Sequence, residues 1–478
     1  MPTLLSETLR QVIAEHNIVI SHLAQEIEID RTTLQHIISG RRLPKKAQME
    51  KLLFVIPIPD TQKIILRQAY EATVQGSDKF KQQEKVKAII EKIAFVSMLK
   101  PVDAAPLISE PVLSTGESED LYGELAINNA LQSLIGGEDK SISFFMPSNF
   151  SFFYDTLFSK YVTSPELFVT CFFPISNEPN RKLSDLEYFE AFIPFCTSAK
   201  QSFQAYYMRG QSALHDNAIV PFPYFVYTSK YILLLSADMN HAVLTSQKAF
   251  LQMYHKKCQS LLSMSSPLLS SPSVSELLLL FPYVNSPKDI TSSIENQPCF
   301  QSYLTKQLIS KYTMINSKEN AAIIEIYTKY IDGIQKEPNF FSAFGREGLM
   351  FFVETGILAV WPPTLGKPFE LPDRIKILER MLHDIKNDKF HCRMIDASKL
   401  TIPLISTVIG VRRNTFIIYC LDYANGNVKN ICLTEKNIVE AFADFFKNLP
   451  SSHLVHSKEE TVKAFEDALE KLRAMMPK

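Results

Sequence analysis

The sequence predicts a multidomain protein in which an all-α N-terminal domain is followed by an α/β (α+β) body. Three observations support this fold class. Apolar residues recur at helical spacing through residues 1–98, whereas from Ile142 onward short runs rich in aromatic and β-branched residues alternate with helical segments. Between these regions, residues 97–120 are rich in Pro, Ser and acidic residues and have no periodicity, which is typical of a linker. At 478 residues, of which 46% are hydrophobic, the chain can form two or three domains with sizeable cores.

The N-terminal domain is predicted to span residues 1–75. The apolar spacing predicts an amphipathic helix over 6–17, two short helices in the middle, and two more over 46–56 and 60–75. Residues 76–120 then contain a helix and the linker. The apolar stripe of that helix, at 79–98, suits either a core or a dimer interface.

The segment between Ser21 and Pro44 has the most specific pattern in the chain. Its two short helices are joined by a tight turn, where Asp30 is a natural N-cap of the second helix, and Gly40 suits the C-terminal cap. Apolar residues at helical spacing form the inner faces: Leu23, Ala24, Ile27, Leu34, Ile37 and Ile38. The second helix therefore presents a hydrogen-bonding face to solvent: Arg31, Thr32, Gln35, His36 and Ser39. Such a face is what reading the major groove of DNA requires.

This segment resembles the helix-turn-helix of the lambda-repressor-like (Xre) transcriptional regulators. The resemblance covers roughly residues 5–75 and is carried by LA in the first helix, RTTL at the start of the second, and SGRRLPK at its end. Glu28 departs from the pattern, because that turn position is usually Gly. The resemblance implies that Arg31, Thr32, Gln35 and His36 read base edges of double-stranded DNA. The alternative is an ordinary pair of antiparallel helices.

A cationic cluster follows the second helix. Together with two nearby hydroxyl residues it supplies the predicted contacts to DNA phosphates: Ser21, Ser39, Arg41, Arg42, Lys45 and Lys46. The alternative is a solvated charged loop. The whole chain has a formal net charge of −1, but residues 1–100 carry an excess of basic residues, which favours DNA contact through this part.

The body is predicted to contain two α/β domains, 121–265 and 274–478. In the first, the pattern predicts a helix from Leu121 to Leu134 and strands over 142–146, 167–173, 188–195, 203–208, 222–227 and 231–235. In the second it predicts helices through much of 299–334, over 344–356 and 374–385, and strands over 391–396, 404–410, 415–422 and 430–433. Asn425-Gly426 indicates a tight turn between the last two strands.

Both α/β domains end in a similar way. In each, a strand near Met208 or Met394 precedes two strands and a long helix bearing aromatic residues, over 246–262 and 435–449. This similarity predicts a degenerate internal duplication, although two unrelated endings remain the alternative. A duplicated α/β unit also suggests a phospholipase D-like fold, but the HxK signature of that active site is absent.

The sequence contains no recognisable catalytic or metal-binding motif. Phosphate-binding loops, nucleophile elbows and HExxH motifs are absent. The pairs His215-Asp216 and His383-Asp384, and the pair His255 and Cys258, lack the further ligands that a metal site needs. The seven cysteines show no CxxC spacing and are interpreted as buried thiols. We therefore predict no enzyme activity, metal or cofactor.

These patterns predict a cytoplasmic, sequence-specific DNA-binding transcriptional regulator. The N-terminus has no signal-peptide pattern, and no apolar run approaches the roughly 20 residues that span a bilayer. The body is expected to sense a small-molecule or peptide effector, or to form an assembly interface, within a homodimer. Strand residues that could line an effector site are Tyr206, Arg209, Tyr224 and Tyr227. The alternative is an enzyme, or an adaptor such as one acting in phage defence, that uses the helix-turn-helix as a targeting module.

Overall fold

The chain divides into two compact units. The computed structural model describes residues 3–98, 117–175, 182–198, 202–209, 220–272, 291–314, 318–334, 340–402, 407–412, 415–422 and 427–476. The units are Met1–Lys85 and Val86–Lys478. Both predicted α/β domains, 121–265 and 274–478, lie within the second unit.

The regular structure described in the first unit is helical. The helices are α1 (Leu4–Glu15), α2 (Ile20–Glu26), α3 (Arg31–Ile38), α4 (Lys46–Val55) and α5 (Asp60–Gln75), followed by the start of α6 (Ser77–Met98). They bury one apolar core, which includes Leu5, Leu9, Leu23, Ala24, Ile27, Leu34, Ile37, Met49, Leu52 and Leu66. The predicted inner-face residues of α2 and α3 therefore lie in this core, apart from the half-buried Ile38.

Local capping explains where α3 begins and ends. The Asp30 carboxylate accepts the backbone N–H of Thr33 at 2.7 Å, which satisfies a donor that the first turn leaves free. Beyond the helix, Gly40 has φ +76°, a left-handed conformation that glycine adopts without steric cost. Between α2 and α3, Glu28 also has a positive φ, of 58°. The turn therefore keeps a glycine-like geometry although its residue is glutamate.

The first half of the second unit contains a mixed eight-stranded sheet. Its strands are β1 (Ser118–Tyr122), β2 (Ser141–Phe145), β3 (Phe168–Ile175), β4 (Phe203–Arg209), β5 (Tyr224–Tyr227), β6 (Ile232–Leu235), β7 (His241–Thr245) and β8 (Ser266–Pro267). Its helices are α7 (Glu124–Gly136), α8 (Ser151–Thr163), α9 (Lys182–Thr197) and α10 (Lys248–Met264). The strand order is β1-β7-β6-β5-β2-β3-β4-β8, with β2, β3 and β4 parallel.

The second half contains a mixed seven-stranded sheet. Its strands are β9 (Leu269–Ser270), β10 (Thr291–Glu295), β11 (Phe340–Phe344), β12 (His391–Met394), β13 (Thr407–Arg412), β14 (Thr415–Asp422) and β15 (Asn427–Leu433). Its helices are α11 (Lys306–Tyr312), α12 (Lys318–Ile334), α13 (Arg346–Thr355), α14 (Leu371–Lys386), α15 (Lys436–Asn448) and α16 (Lys458–Ala474). The strand order is β12-β11-β10-β13-β14-β15-β9.

The two halves share one topology. In each sheet three parallel strands, β2–β4 or β10–β12, are followed by three antiparallel strands, β5–β7 or β13–β15, that continue from the first parallel strand. A long helix, α10 or α15, comes next along the chain. This shared order supports the predicted internal duplication. The α/β character of the body is confirmed.

One apolar core joins the two halves. The rings of Phe189 on α9 and Phe442 on α15 lie 6.1 Å apart, and Phe416 on β14 contacts both. The stripe on α6 belongs to the same core, because Val86, Ile89, Ile90 and Ile93 are fully buried in it. The stripe is therefore a core face, which was one of its two predicted roles.

Several predicted elements are corrected by the structure. The run over 188–195, predicted as a strand, is part of α9; a segment that is apolar on every side gives no periodicity to distinguish the two. Residues 121–122, predicted as the start of a helix, end strand β1. Strands β7, β8, β9, β10 and β11 were not predicted. The Asn425-Gly426 turn, the pair His215-Asp216 and most of the linker lie outside the described residues.

Candidate nucleic-acid interface

Helix α3 presents the predicted base-reading residues to solvent. Arg31, Thr32, Gln35 and His36 are all exposed, while Thr33, Leu34 and Ile37 on the opposite side are buried. This division follows from the 3.6-residue helical period, because the apolar positions recur at intervals of three and four. The structure thus brings the four predicted side chains together on one exposed helix face.

The start of α3 is held by a small polar network. Asp30 accepts the Thr33 hydroxyl at 2.6 Å in addition to its backbone N–H, and Arg42 donates to that hydroxyl at 3.4 Å. These hydrogen bonds hold the pKa of the Asp30 carboxyl below its ordinary value. Asp30 therefore stays ionised as the N-cap at neutral pH. The network fixes the first turn of α3, from which base contacts are made in helix-turn-helix proteins.

The predicted phosphate-contacting residues are also exposed. This holds for Ser21, Ser39, Arg41, Arg42, Lys45 and Lys46. Elsewhere in the first unit, Lys51 pairs with Glu28 at 2.5 Å and Arg67 pairs with Glu50 at 2.5 Å. By contrast, within the described part of the chain, Arg31, Arg41 and Lys45 form no ion pair. Cations that face solvent without a protein carboxylate suit binding to phosphate groups.

Three of the four predicted effector residues share one apolar cluster, and Arg209 lies outside it. Tyr206, Tyr224 and Tyr227 pack against an apolar cluster beneath α10, which contains Tyr254. Arg209 is three residues after Tyr206 on β4, and residues at an odd spacing on a strand point to opposite faces. Its guanidinium accordingly lies over the Tyr207 ring, 5.6 Å from the centroid.

Arg209 instead joins the two halves of the second unit. Its Nη2 donates to Oε1 of Glu435 at 2.7 Å, and the Glu435 carboxylate is buried at the start of α15. The other oxygen of Glu435 accepts the Ile438 N–H at 3.0 Å. A second link is the ion pair of Lys182 on α9 with Glu440 on α15, at 2.7 Å. Arg209 thus has a structural partner in Glu435.

Two buried carboxyl groups were not identified from the sequence. Glu295 ends the internal strand β10 and accepts the Ser293 hydroxyl at 2.8 Å. Its burial raises its pKa to about 7. Glu138, before β2, accepts the backbone N–H of Ser229 at 2.9 Å and that of Lys140 at 2.7 Å. In the sequence, Glu295 and Glu138 each have a polar neighbour. No spacing of residues around them identifies either one as a buried acid.

The residues considered as metal ligands do not assemble into a site. His383 and Asp384 lie on α14, where Asp384 accepts the Tyr303 hydroxyl at 3.1 Å. His255 contacts Gln259 at 3.1 Å, and burial raises the pKa of the Cys258 thiol to about 11. Among the residues that the structure describes, no three His, Cys, Asp or Glu side chains are grouped to hold a metal ion.

An open groove of about 420 Å³ lies between α11 and α14. Lys311 is its most prominent cation, but the Lys311 ammonium already pairs with Glu370 at 2.6 Å and with Asp373 at 2.8 Å. These bonds raise the pKa of Lys311 above its ordinary range. The Lys311 ammonium in this groove is therefore already paired with two carboxylates of the same chain.

No helix in the described ranges is both long enough and apolar enough to cross a membrane.

Comparison with known proteins identifies no family. No family model matches the chain, and no curated protein matches it. Among solved structures, phosphatidylserine synthase from Haemophilus influenzae Rd KW20 matches over 75% of this chain and 92% of its own, with 11% identity and a TM-score of 0.24. At that similarity the match assigns no activity to this chain.

The comparisons nevertheless correct the predicted function. The sequence predicts a sequence-specific transcriptional regulator, but no family model and no curated protein of that kind matches the chain, and the solved structure named above is an enzyme. The regulator interpretation is therefore withdrawn. Its alternative, in which the N-terminal helices target an enzyme or an adaptor, stays a prediction.

Proposed function

We propose that residues 3–75 form a helix-turn-helix module that binds duplex DNA and brings the α/β body to it. In this proposal the chain is a DNA-targeted enzyme or adaptor. The observation that carries it is the face of α3, where four hydrogen-bonding side chains are exposed opposite the buried Thr33, Leu34 and Ile37.

The dimensions of α3 suit the major groove. An α-helix with its side chains is about 10–12 Å in diameter, and the groove is about 12 Å wide. Arg31 and Thr32 lie in the first turn, where base contacts are expected, and Gln35 follows one turn later. Gln is suited to adenine and Arg to guanine, so we assign Arg31, Gln35, Thr32 and His36 to base edges.

The cationic cluster Arg41, Arg42, Lys45 and Lys46 is assigned to phosphates. These side chains follow the C-terminal end of α3, so they can contact the backbone beside the groove that α3 enters. Phosphate contacts release condensed counterions, and each contributes a slope of about 0.9 to the dependence of log K on log salt. The assignment therefore predicts a salt-dependent, sequence-independent share of the binding energy.

The salt dependence tests this assignment. Binding of the full chain to a fluorescent duplex is measured by anisotropy from about 50 to 200 mM salt. Replacing all four cations by Gln should lower the magnitude of the slope by about 3 to 4. The matched control is Lys463→Gln on α16, an exposed lysine outside the helical module. A fourfold variant that keeps the wild-type slope, with its helical content unchanged by circular dichroism, would contradict the proposal.

A second assay, on bound DNA, distinguishes whether the α/β body acts as an enzyme or as an adaptor. An enzyme acting on DNA changes its covalent structure, whereas an adaptor leaves it intact and retains a protein partner. End-labelled duplex is incubated with the full chain and resolved on a denaturing gel. Strand cleavage on this gel identifies the enzyme form of the proposal. Intact DNA on this gel, together with a complex of DNA, this chain and a protein partner on a native gel, identifies the adaptor form.

A further inference from the structure

One side of helix α10 is left uncovered in the first half of the second unit. Tyr254 and Cys258 point to the sheet and are buried against it. Beside them runs a stripe of exposed residues at intervals of three and four: Phe250, Met253, Lys257, Ser260 and Met264. Met253 is 51% exposed and Met264 is 67% exposed. The alternation of three and four is the spacing along which one helix packs against another.

The shared topology of the two halves shows how the corresponding stripe is covered in the second half. Helix α15 follows β15 as α10 follows β7. If Lys248 and Lys436 are counted as the first residues, the third, sixth and tenth residues correspond: Phe250 and Ile438, Met253 and Ala441, Lys257 and Phe445. In α15 all three of these residues are buried. Helix α9 packs on α15, where the rings of Phe189 and Phe442 lie 6.1 Å apart. A stripe that is buried in one half is therefore open in the other.

The charges of α10 select the kind of helix that fits the stripe. The helix carries no acidic residue and three exposed lysines: Lys248, Lys256 and Lys257. None of the three forms an ion pair with a residue that the structure describes. The Lys257 ammonium lies over the Tyr254 ring, 4.8 Å from its centroid, which places it beside the stripe. By contrast, α15 carries Glu440, which pairs with Lys182 of α9 at 2.7 Å. A helix that fits α10 should therefore be acidic where α9 is basic.

Two other occupants fit this stripe less well. The outermost ridge of α10, opposite the buried residues, is polar and includes Gln252, Lys256 and Ser263. A flat lipid surface would therefore meet polar groups before it met the apolar stripe. A second copy of α10 would bring lysines against lysines, because this helix has no acidic residue to pair with them.

We propose that the stripe on α10 binds an acidic amphipathic helix of a partner protein. The apolar side chains of that helix pack on Phe250, Met253 and Met264, and its carboxylates pair with Lys256 and Lys257. The proposal goes beyond DNA binding and does not depend on it, because α10 lies outside the helical module of residues 3–75.

Fluorescence anisotropy of a designed helical peptide, titrated with the full chain, tests the proposal. The probe has 16 residues, the length of α9, with leucines at intervals of three and four and glutamates beside them. The control peptide has lysine in place of each glutamate, and it should bind about tenfold more weakly. Met253→Glu should weaken binding of the glutamate probe about tenfold, because it places a charge in the apolar stripe. Leu125→Glu, at an exposed leucine of α7, is the matched variant and should leave binding unchanged.

Reversal of charge shows whether the two lysines contact the carboxylates. Lys256→Glu combined with Lys257→Glu should reverse the preference, so that the lysine probe binds more tightly than the glutamate probe. If the lysines only supported the fold, the double variant would lose affinity for both probes alike. No binding of the glutamate probe, equal binding of the two probes to the wild type, or an unreversed preference in the double variant would overturn the proposal.

Two measurements that compare the wild type with Met253→Glu detect the competing occupants. The first is sedimentation velocity at micromolar concentration without DNA, and the second is cosedimentation with vesicles of phosphatidylcholine and phosphatidylglycerol. The substitution should change neither result. A dimer that Met253→Glu dissociates would place a second copy on the stripe, and vesicle binding that it abolishes would place a membrane there. Either outcome would overturn the proposal of a partner helix.

Discussion

The buried carboxyl group of Glu295 makes the stability of the body depend on pH. Glu295 is only 4% exposed, and it ends β10, an internal strand of the second sheet. Burial raises its pKa from 4.5 to about 7, although hydrogen bonds from the Ser293 and Ser342 hydroxyls oppose the shift. The folded protein therefore binds the proton of Glu295 more tightly than the unfolded chain does.

The sign and size of the effect follow by linkage. Because the pKa is raised in the folded state, the stabilising contribution is fully present below about pH 4.5 and is lost as pH rises through about 7. The difference in pKa corresponds to about 3 kcal/mol, most of it lost between pH 5 and pH 8. Glu295→Gln keeps the shape and cannot ionise. The variant should therefore gain about 2–3 kcal/mol over the wild type between pH 5 and pH 8.

Urea unfolding at pH 5, 6, 7 and 8, followed by tryptophan fluorescence and circular dichroism, measures this difference. The matched control is Glu138→Gln. Glu138 is equally buried, but hydrogen bonds from Ser229, Lys140 and Ser141 outweigh its burial and lower its pKa. Its variant should be less stable than the wild type by an amount that is constant over this range. A difference for Glu295→Gln that is the same at pH 5 and pH 8 would refute the reasoning.

Three further predictions concern other parts of the molecule. Glu28→Gly should raise the urea midpoint of the first unit, because Glu28 holds a φ of 58°, while Glu28→Ala should lower it. Arg209→Met should destabilise the body by about 1–2 kcal/mol, since it leaves the buried Glu435 carboxylate without its ion pair; a double-mutant cycle with Glu435→Gln should show coupling, and additive effects would exclude it. The chain should sediment as a homodimer on DNA with two half-sites about 34 Å apart, and a 1:1 complex at micromolar concentration would contradict this.

The helical unit was the part most predictable from sequence. Leu23, Leu34 and Ile37 recur at helical spacing, and one buried face then requires that Gln35 and His36 be exposed. The similar endings of the two α/β segments also anticipated the shared strand order of the two sheets. Both inferences depend on the spacing of apolar residues over short stretches of the chain, which a single sequence shows directly.

The parts that could not be predicted depend on long-range contacts. The sequence of strand β10, TSSIE, does not alternate apolar and polar residues. The strand can nevertheless lie inside the sheet, because the Ser293 hydroxyl donates a hydrogen bond to the Glu295 carboxyl group within the protein. Helix α9 is buried on nearly all sides and so has no amphipathic period. The ion pair of Arg209 with Glu435 joins residues 226 positions apart, so no local pattern marks it.

The central claim is that the exposed face of α3 reads DNA. Sequencing of duplexes selected from a random pool by the purified full chain tests it most directly, with Gln35→Ala compared in parallel. We expect a defined motif for the wild type, and for the variant the same motif relaxed at one base position, by roughly 1–3 kcal/mol of discrimination. No enriched motif, or an identical motif from both proteins, would contradict it.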